Sequence, residues 1–182
     1  YPSSSNCLLD SVQNVFTFLE QFQKRRKLLI RLHPQQKYGV RYGWNIHERI
    51  KEYYGECNFD DFSKTFNQRL SESMILLSDN IGTTFLEAML INKPTVIFLS
   101  KKIYRFRTEA QSYFDSLEKV NILHYSPNSA ARHLNNVYDD VDSWWQSREL
   151  QEKRRAFVDR YARCEQNWMQ EWVGEFNMIL NN

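Results

Sequence analysis

Two short apolar runs separated by one helix-length segment constrain the fold of this chain more than any other feature. Residues 74–77 and 95–99 are apolar and bounded by turn-forming residues, as is typical of buried strands. Residues 83–91 carry apolar side chains at helical spacing, and they are followed by Asn92, a residue type that tolerates the left-handed conformation in which many helices end. A strand–helix–strand unit with such short connections predicts a right-handed crossover between two parallel strands.

The rest of the first 142 residues alternates between helical and strand-like segments. Apolar periodicity predicts helices at residues 8–22, 45–54, 62–70, 108–117 and 129–138, and strands at residues 28–32, 57–59 and 121–123. This alternation is typical of α/β proteins in which a parallel sheet lies between layers of helices. We therefore predict a Rossmann-like, doubly wound α/β domain over residues 1–142.

The chain changes character towards its C-terminus. From Arg148 onward, apolar and aromatic side chains recur at gaps of three, four or seven residues, and no proline interrupts them. This pattern predicts one or two long amphipathic helices, and we assign residues 143–182 to a helical extension. Two interpretations of the apolar stripe stay open. Either it packs on the body of the domain, or part of it packs on a further domain of the same polypeptide.

Composition narrows the classes of function. The chain has 182 residues and a formal charge of +2, which is too balanced for the strong positive field of a nucleic-acid-binding protein. Its three cysteines, Cys7, Cys57 and Cys164, lie far apart, and we interpret them as reduced thiols. The four histidines show no metal-ligand spacing, and no apolar run has the length of a transmembrane helix. We expect no metal and a cytoplasmic location, with a peripheral position at the inner membrane face as the alternative.

The first candidate site residues, His33 and Pro34, directly follow the predicted strand at residues 28–32. Ligands of open α/β sheets bind beyond the carboxyl ends of the strands. A histidine at such an end can donate a hydrogen bond to a phosphate or a leaving group, and the proline fixes the direction of the backbone. The alternative is a purely structural role for His33. We expect Arg31 to face away from Leu32 and to be solvated at the sheet edge.

The second candidate lies in the turn after residues 74–77, where Asp79 and Gly82 precede a helix that opens with Thr83 and Thr84. The free amides and the dipole at a helix start favour an anion. Gly82 lets a phosphate approach the backbone closely, and the two threonine hydroxyls add donors. These features predict a site for a phosphate or diphosphate. The alternative is that Thr83 only caps the helix.

Neighbouring residues extend the predicted site. Glu87 lies one turn into the helix, where its carboxylate can hydrogen-bond ribose hydroxyls, although a solvated helix face is the other interpretation. The loops at residues 35–44 and 101–107 interleave basic and aromatic side chains, which suit phosphates or an acidic sugar and equally suit a solvated surface. No nucleophile motif and no pair of carboxylates identifies a catalytic base.

Together, His33-Pro34 after one strand and Thr83-Thr84 at a helix start resemble the HP and Ser/Thr-pair motifs of bacterial sialyltransferases and related Kdo transferases. In those enzymes both motifs lie in the C-terminal domain of a GT-B fold and hold the CMP part of the donor. The resemblance therefore implies that His33, as the catalytic residue of this half, contacts the donor phosphate. It also implies that Thr83 and Thr84 bind phosphate at the helix start.

The sequence resembles other transferases over a longer stretch. Residues 78–88, continued by residues 92–94, are similar to the donor-site segment of CDP-glycerol glycerophosphotransferases. A resemblance that covers most of the chain, and includes residues 121–124 and 144–145, is to Leptospira-type transferases from bacterial surface-carbohydrate loci. These resemblances imply that Glu87 lies near the ribose and that the catalytic base belongs to an N-terminal domain outside this chain.

We predict that the chain is the donor-binding half of a glycosyltransferase of surface polysaccharide or lipopolysaccharide biosynthesis. Its donor would be a CMP- or CDP-activated sugar, bound as a substrate without a further cofactor and transferred by an inverting displacement. Its partner would be the missing N-terminal domain, without which we expect no activity. One alternative is a UDP-sugar transferase or an epimerase of the same fold, although residues 81–83 depart from the Ser-Gly-Gly of epimerases. The other is a non-catalytic module that docks a partner through the aromatic terminal helix.

Overall fold

The computed structural model describes residues 5–33, 45–55 and 57–181. Its strands are short: β1 (Leu29–Ile30), β2 (Asn58–Phe59), β3 (Leu76–Ser78), β4 (Thr95–Phe98) and β5 (Leu123–His124). Its α-helices are α1 (Ser5–Gln21), α2 (Ile46–Tyr53), α3 (Phe66–Glu72), α4 (Thr83–Leu90), α5 (Thr108–Lys119), α6 (Pro127–Val137), α7 (Val141–Trp145), α8 (Arg148–Tyr161) and α9 (Trp168–Leu180).

All strand pairs within the described residues are parallel, and they form two sheets. One sheet has the order β3-β4-β5, in which Leu77 lies opposite Val96 and Ile97 lies opposite Leu123. The other sheet consists of β1 and β2, in which Ile30 lies opposite Phe59. Helix α4 connects β3 to β4, which confirms the parallel strand–helix–strand unit predicted at residues 74–99. The α/β class with flanking helices is likewise confirmed.

Strand β4 is buried on both faces, as a strand covered by helices on each side must be. Val96 and Phe98 point into a core formed with α1, α2 and α6. Ile97 and Leu99 point into a second core formed with α4, α5 and α8. Because successive side chains of a strand alternate between faces, the single run at residues 95–99 supplies both cores. This explains why residues 96–99 are all apolar and do not alternate with polar residues.

The helices of the C-terminal extension differ in their environment. Helix α8 contributes Leu150, Phe157 and Val158 to the same core as α4 and α5. In α9, by contrast, every side chain is exposed, including Trp172 at 57% and Phe176 at 53%. The interpretation that the tail packs on the domain therefore applies to α8, whereas α9 leaves its apolar residues uncovered. The boundary after residue 142 falls inside α7, and the division into two domains stays a prediction.

Two polar contacts from the C-terminal extension fix the end of α4. Trp145 Nε1 donates to the backbone O of Asn92 at 3.0 Å and also lies 3.0 Å from Asn92 Oδ1. Asn92 has a φ of 59°, so it adopts the left-handed conformation expected from the sequence. The buried Arg154 donates to the backbone O of Met89 at 2.6 Å. Since these bonds satisfy carbonyls at the helix end, α7 and α8 help to hold α4 in place against the sheet.

One predicted helix begins later in the structure than in the sequence pattern. Residues 62–65 are not helical, because Phe62 has a φ of 65° and Thr65 is the N-cap of α3. Thr65 Oγ1 accepts a hydrogen bond from the backbone N–H of Gln68, and Gln68 Oε1 accepts one from the N–H of Thr65. This reciprocal capping box marks the true helix start, and it was visible in the sequence as Thr-x-x-Gln.

Candidate functional site

The candidate site lies at the carboxyl ends of β1 and β3, which belong to different sheets and border the same cavity. A cavity of about 600 Å³ separates these strands. His33, which follows β1, and Asp79 and Asn80, which follow β3, all line this cavity. His33 of the first candidate motif and Asp79 of the second therefore border the same cavity, although they are some fifty residues apart in the chain. Carboxyl ends of parallel strands are the usual ligand position in open α/β sheets.

Asp79 and Asn80 are held by local hydrogen bonds. Ser78 Oγ donates to the backbone O of Asn80 at 2.8 Å, and Asn80 Nδ2 donates to Asp79 Oδ1 at 2.9 Å. Asp79 is accessible from the cavity but is surrounded by protein atoms, and this desolvation raises the pKa of its carboxyl group. The local hydrogen bonds thereby position the carboxyl group of Asp79 directly after β3, where it lines the cavity.

Asp79 and Asn80 also line a second, much smaller pocket. Its volume of about 20 Å³ is close to that of a single water molecule's site. Ser100 and Tyr104, from the loop after β4, form part of its wall. Burial and the nearby charge of Asp79 raise the pKa of the Tyr104 hydroxyl. Tyr104 is thus a candidate site residue that the sequence analysis included only within the basic and aromatic loop at residues 101–107.

Helix α4 begins next to Asp79 and Asn80. Its N-cap is Gly82, and no side chain forms a cap hydrogen bond. The alternative that Thr83 caps the helix is therefore wrong, because Thr83 is already the first helical residue. Gly82 has an extended backbone with a φ of −142°, so its role does not depend on a left-handed conformation. A Cβ at this position would lie 3.2 Å from Asn80 Oδ1, which leaves little room for a side chain.

Other predicted residues lie outside the two pockets. Thr83 and Glu87 are exposed and Thr84 is half-buried, and none of the three lines either cavity. The exposure of Glu87 matches the interpretation as a solvated helix face. Pro34 and the loop at residues 35–44 lie outside the described residues.

The basic side chains of the loop at residues 101–107 are exposed. Lys101 stacks on the ring of Tyr125 with its Nζ 4.1 Å from the ring centroid. This contact is a cation–π interaction and directs Lys101 towards the end of β5, so the ammonium group is held on the protein surface.

A network of charged side chains lies at the carboxyl ends of β1 and β2. Asp60 is inaccessible to solvent and pairs with Arg31, while Arg69 Nε donates to the same carboxylate at 3.2 Å. Arg31 is therefore ion-paired, in contrast to the solvated position expected from the sequence. The charged network lines the cavity together with His33. In the sequence, this network is visible only as the Asp60-Asp61 pair after a predicted strand. That pair predicts an ion pair with Arg31 only if β1 and β2 are known to be neighbours.

The charge of Asp60 is stabilised where it lies. Burial by itself would raise the pKa of this carboxyl group. The backbone N–H of Phe62, at 3.0 Å, and the guanidinium groups of Arg31 and Arg69 outweigh that effect, so the pKa is lowered overall. The ring of Phe62 stacks below Arg31, with 4.5 Å between the guanidinium carbon and the ring centroid. The strained, left-handed backbone of Phe62 thus serves to hold the network together.

A pair of histidines lies away from the cavity, between α6 and the sheet. The rings of His124 and His133 are 5.3 Å apart, and His133 Nε2 is buried with no hydrogen-bond partner in the described part of the chain. Desolvation lowers the pKa of both, and that of His133 falls to about 4 with the charge of His124 contributing. His124 Nδ1 lies 2.9 Å from Ser129 Oγ, so this histidine has a neutral partner.

Acidification should therefore destabilise the fold through His133. The unfolded chain binds a proton at this histidine below about pH 6.5, whereas the folded chain does so only near pH 4, so stability falls as the pH drops between these values. We expect a loss on the order of 2 kcal/mol over this range. The variant His133→Phe should flatten the pH dependence measured by urea unfolding. Above pH 7 the free energies of unfolding of the variant and the wild type should depend on pH in the same way. If the variant and the wild type lose stability equally steeply between pH 4 and 6.5, His133 is not the group responsible.

The fold and the site together define an α/β protein with parallel sheets and a ligand-sized cleft at their carboxyl edge. The family model of the LIC12162 family transferases matches residues 1–176, and the chain belongs to this family. No curated protein and no solved structure matches the chain. Membership of this family supports a role of the chain in a transferase. In the described residues, no helix is long and apolar enough to cross a bilayer.

Proposed function

We propose that this chain is the donor-binding half of a glycosyltransferase that uses a CMP- or CDP-activated sugar. The proposal depends on one observation. His33, Asp79 and Asn80 line the same cavity, and the start of α4 directly follows Asp79 and Asn80 in the chain. A transferase needs a place for an activated donor, and the carboxyl edge of parallel strands next to a helix N-terminus is suited to a phosphate-bearing one. The resemblance of both motifs to CMP- and CDP-dependent enzymes favours cytidine nucleotides.

In this proposal, the protein acts on the phosphate that leaves with the nucleotide. The amides at the start of α4 and the hydroxyls of Thr83 and Thr84 bind the phosphate oxygens, and Glu87 lies towards the ribose. His33 donates a hydrogen bond to the oxygen on which negative charge develops as the bond to the sugar breaks. The chain thus supplies positioning and electrostatic stabilisation for an inverting displacement. The base that removes the proton from the acceptor belongs to another domain.

The second half of the enzyme would contact α9. Seven of its apolar side chains fall on one side of the helix at spacings of three and four residues, and all are more than half exposed: Trp168, Met169, Trp172, Val173, Phe176, Ile179 and Leu180. A helix of this length is marginally stable by itself in water, and an apolar face of this size is typical of an interaction surface. We therefore propose that an N-terminal domain of the same polypeptide covers α9, as in a GT-B arrangement, in the cytoplasm.

Nucleotide binding should be measurable on the chain alone by thermal shift with CMP, CDP, UDP and GDP. A ligand that binds only the native state stabilises it by about 2.7 kcal/mol at a hundredfold excess over its Kd. We expect CMP or CDP to raise the melting temperature, and His33→Ala and Thr83→Ala to abolish the shift. Thr108→Ala is the matched control, since Thr108 is also an exposed threonine at a helix start, on α5. A shift with UDP alone, or none with any nucleotide, would contradict the proposal.

The exposure of α9 also favours a second candidate function, a non-catalytic module that docks a partner protein. In that case the cavity would bind no nucleotide, and α9 would drive association of the chain. Sedimentation equilibrium of the wild type and of Trp172→Glu distinguishes the two functions. Self-association that the glutamate abolishes, in the absence of any nucleotide-dependent shift, would support the interaction module.

A further inference from the structure

Asp79 carries a charge that no ion pair balances within the described residues. Its carboxylate accepts hydrogen bonds from Asn80 Nδ2, at 2.9 Å, and from its own backbone N–H, and no basic side chain lies close enough to lower its pKa. An ionised carboxylate can accept about four hydrogen bonds. Since Asp79 lines the cavity and is accessible from it, its remaining acceptor sites are available to a ligand.

The charges on the β1 side of the cavity balance one another. Three basic side chains form ion pairs with three acidic ones: Arg31, Arg69 and Lys64 with Asp60, Asp61 and Glu72. The other basic residues that line the cavity are Lys27, at the amino end of β1, and His33, which contacts the leaving oxygen in the proposed function. Among the described lining residues, Asp79 is therefore the carboxylate without a basic partner at the carboxyl end.

Asp79 lies close to the proposed position of the donor phosphate. It precedes Gly82, the N-cap of α4, by three residues, so the Cα atoms of the two are at most about 11 Å apart. A phosphate bound to the amides of α4 therefore brings the group attached to it within reach of Asp79. Asp79 also shares the cavity with His33, which the proposed function places at the bond to the transferred sugar. The transferred sugar, rather than the ribose near Glu87, is thus the part of the donor that Asp79 would contact.

The charge at this position selects the chemistry of the transferred sugar. A second anion beside the desolvated carboxylate would be repelled, whereas a hydroxyl group donates to it a charge-assisted hydrogen bond. We propose that Asp79 is a specificity-determining residue that binds hydroxyl groups of an uncharged transferred sugar and excludes acidic sugars. This role of Asp79 rests on the proposed function and narrows its donor to one that carries a neutral sugar.

The cavity has the room and the polar surface for such a sugar at its carboxyl end. Its volume of about 600 Å³ lies within the range of small-molecule sites. The neutral polar side chains of Ser11 and Asn80 line it next to Asp79. Further inside, side chains such as Phe18 and Leu77 offer hydroxyl groups no hydrogen-bond partner. The sugar is therefore expected at the carboxyl end, beside Asp79.

The basic loop at residues 101–107 does not offset the charge of Asp79. Its four basic side chains line neither pocket, although Ile103 and Tyr104 of the same loop line the smaller one. Lys101 lies over the ring of Tyr125, near the end of β5. Because these cations lie outside the cavity, they would not pair with the carboxylate of an acidic sugar held at Asp79.

Calorimetric titration at about pH 8, well above the ordinary pKa of an aspartic acid, tests the role of Asp79. The probes are CDP, CDP-glucose and CDP-glucuronic acid, of which the last two differ only by a carboxylate in place of a hydroxymethyl group. We expect the chain to bind CDP-glucose at least about tenfold more tightly than CDP-glucuronic acid. Equal affinities for these two, or binding of CDP without binding of CDP-glucose, would overturn the proposal.

Asp79→Asn keeps the size of the side chain and removes its charge. In this variant the preference for CDP-glucose over CDP-glucuronic acid should fall to less than about threefold, while the affinity for CDP changes by less than about twofold. Asp79→Ser is the second variant if Asp79→Asn does not fold. Asp142→Asn is the matched control, because it removes one charge from an exposed residue that lines neither pocket, and the preference should not change. An undiminished preference in a folded Asp79→Asn protein, or an equal loss of affinity for all three ligands, would show that Asp79 does not contact the sugar.

The proposed function and the role of Asp79 fail in different ways. Absence of binding by CDP itself would refute the proposed function, and the role of Asp79 with it. Binding of CDP that Thr83→Ala abolishes, together with equal affinities for the neutral and the acidic sugar nucleotide, would leave the proposed function standing and refute the role of Asp79 alone.

Discussion

Replacing Phe157 by alanine is expected to destabilise the protein by about 3–5 kcal/mol, because it leaves a large cavity in a dense aromatic core. Phe157 is 1% exposed and lies on α8. Its ring packs against Phe85 of α4 at 5.8 Å, Phe114 of α5 at 5.3 Å and Tyr161 at 5.0 Å between ring centroids. One substitution therefore loosens the contacts of three helices. The loss is measured by urea unfolding.

Phe176→Ala provides the matched control, since it makes the same change in the next helix. Phe176 is 53% exposed and contacts the ring of Trp172 on the same helix. Its removal should change the free energy of unfolding by less than about 0.5 kcal/mol. Together the two variants establish whether α8 belongs to the folded domain while α9 does not. Similar losses for both would mean that α9 is packed in solution.

Replacing Asp60 by asparagine should destabilise the protein by about 3–5 kcal/mol, because two guanidinium groups then lose the buried carboxylate between them. The same substitution tests the position of β2 beside β1. Arg31 follows β1 and Asp60 follows β2, so their ion pair joins the ends of the two strands. We expect the loss to appear as a lower midpoint of urea unfolding at pH 7, with hydrogen exchange at Ile30 and Phe59 becoming faster.

Asp61→Asn controls for the loss of a negative charge next to the same arginine. Asp61 pairs with Arg69 but its side chain is 67% exposed, so water and salt replace the lost interaction and only a small change is expected. The pKa of the Asp61 carboxyl is lowered to about 2, chiefly by hydrogen bonds from Ser63, so its contribution to stability is also lost on acidification. The pKa of Asp60 is lowered in the folded state, so its contribution is present above the unfolded pKa and is lost as the pH falls through the folded one. A larger loss for Asp61→Asn than for Asp60→Asn would refute the assignment.

The sequence predicted most of the individual elements because their signals are local. The run at residues 95–99 indicated a strand, which the structure shows to be buried on both faces, and Asn92 indicated the end of α4 by its tolerance of positive φ. Errors appeared where a second local signal was overlooked. The helix predicted from residue 62 begins at Phe66, since the capping box of Thr65 and Gln68 sets its start.

The candidate site was predictable only in part. The positions of His33 and Asp79 after two strands predicted that they lie at a common edge of parallel strands, and both line the cavity. The roles of Tyr104 and of the network around Asp60 were missed. The residues that contact Tyr104 and Asp60 come from distant parts of the chain. The patterns of residues 58–62 and 100–107 do not specify which strand lies beside each of these segments.

The sequence by itself determined the α/β class, the parallel unit of β3, α4 and β4, and the helical character of the C-terminal extension. These features depend on periodicity and on residues that begin or end helices, which act over a few positions. The tertiary structure decided that β1 pairs with β2 across a cavity from β3, that Arg31 is ion-paired with Asp60, and that α8 is buried while α9 is exposed. Helix α9 has the more apolar sequence of the two and is nevertheless the exposed one, because an apolar face specifies that it is to be covered but does not specify what covers it.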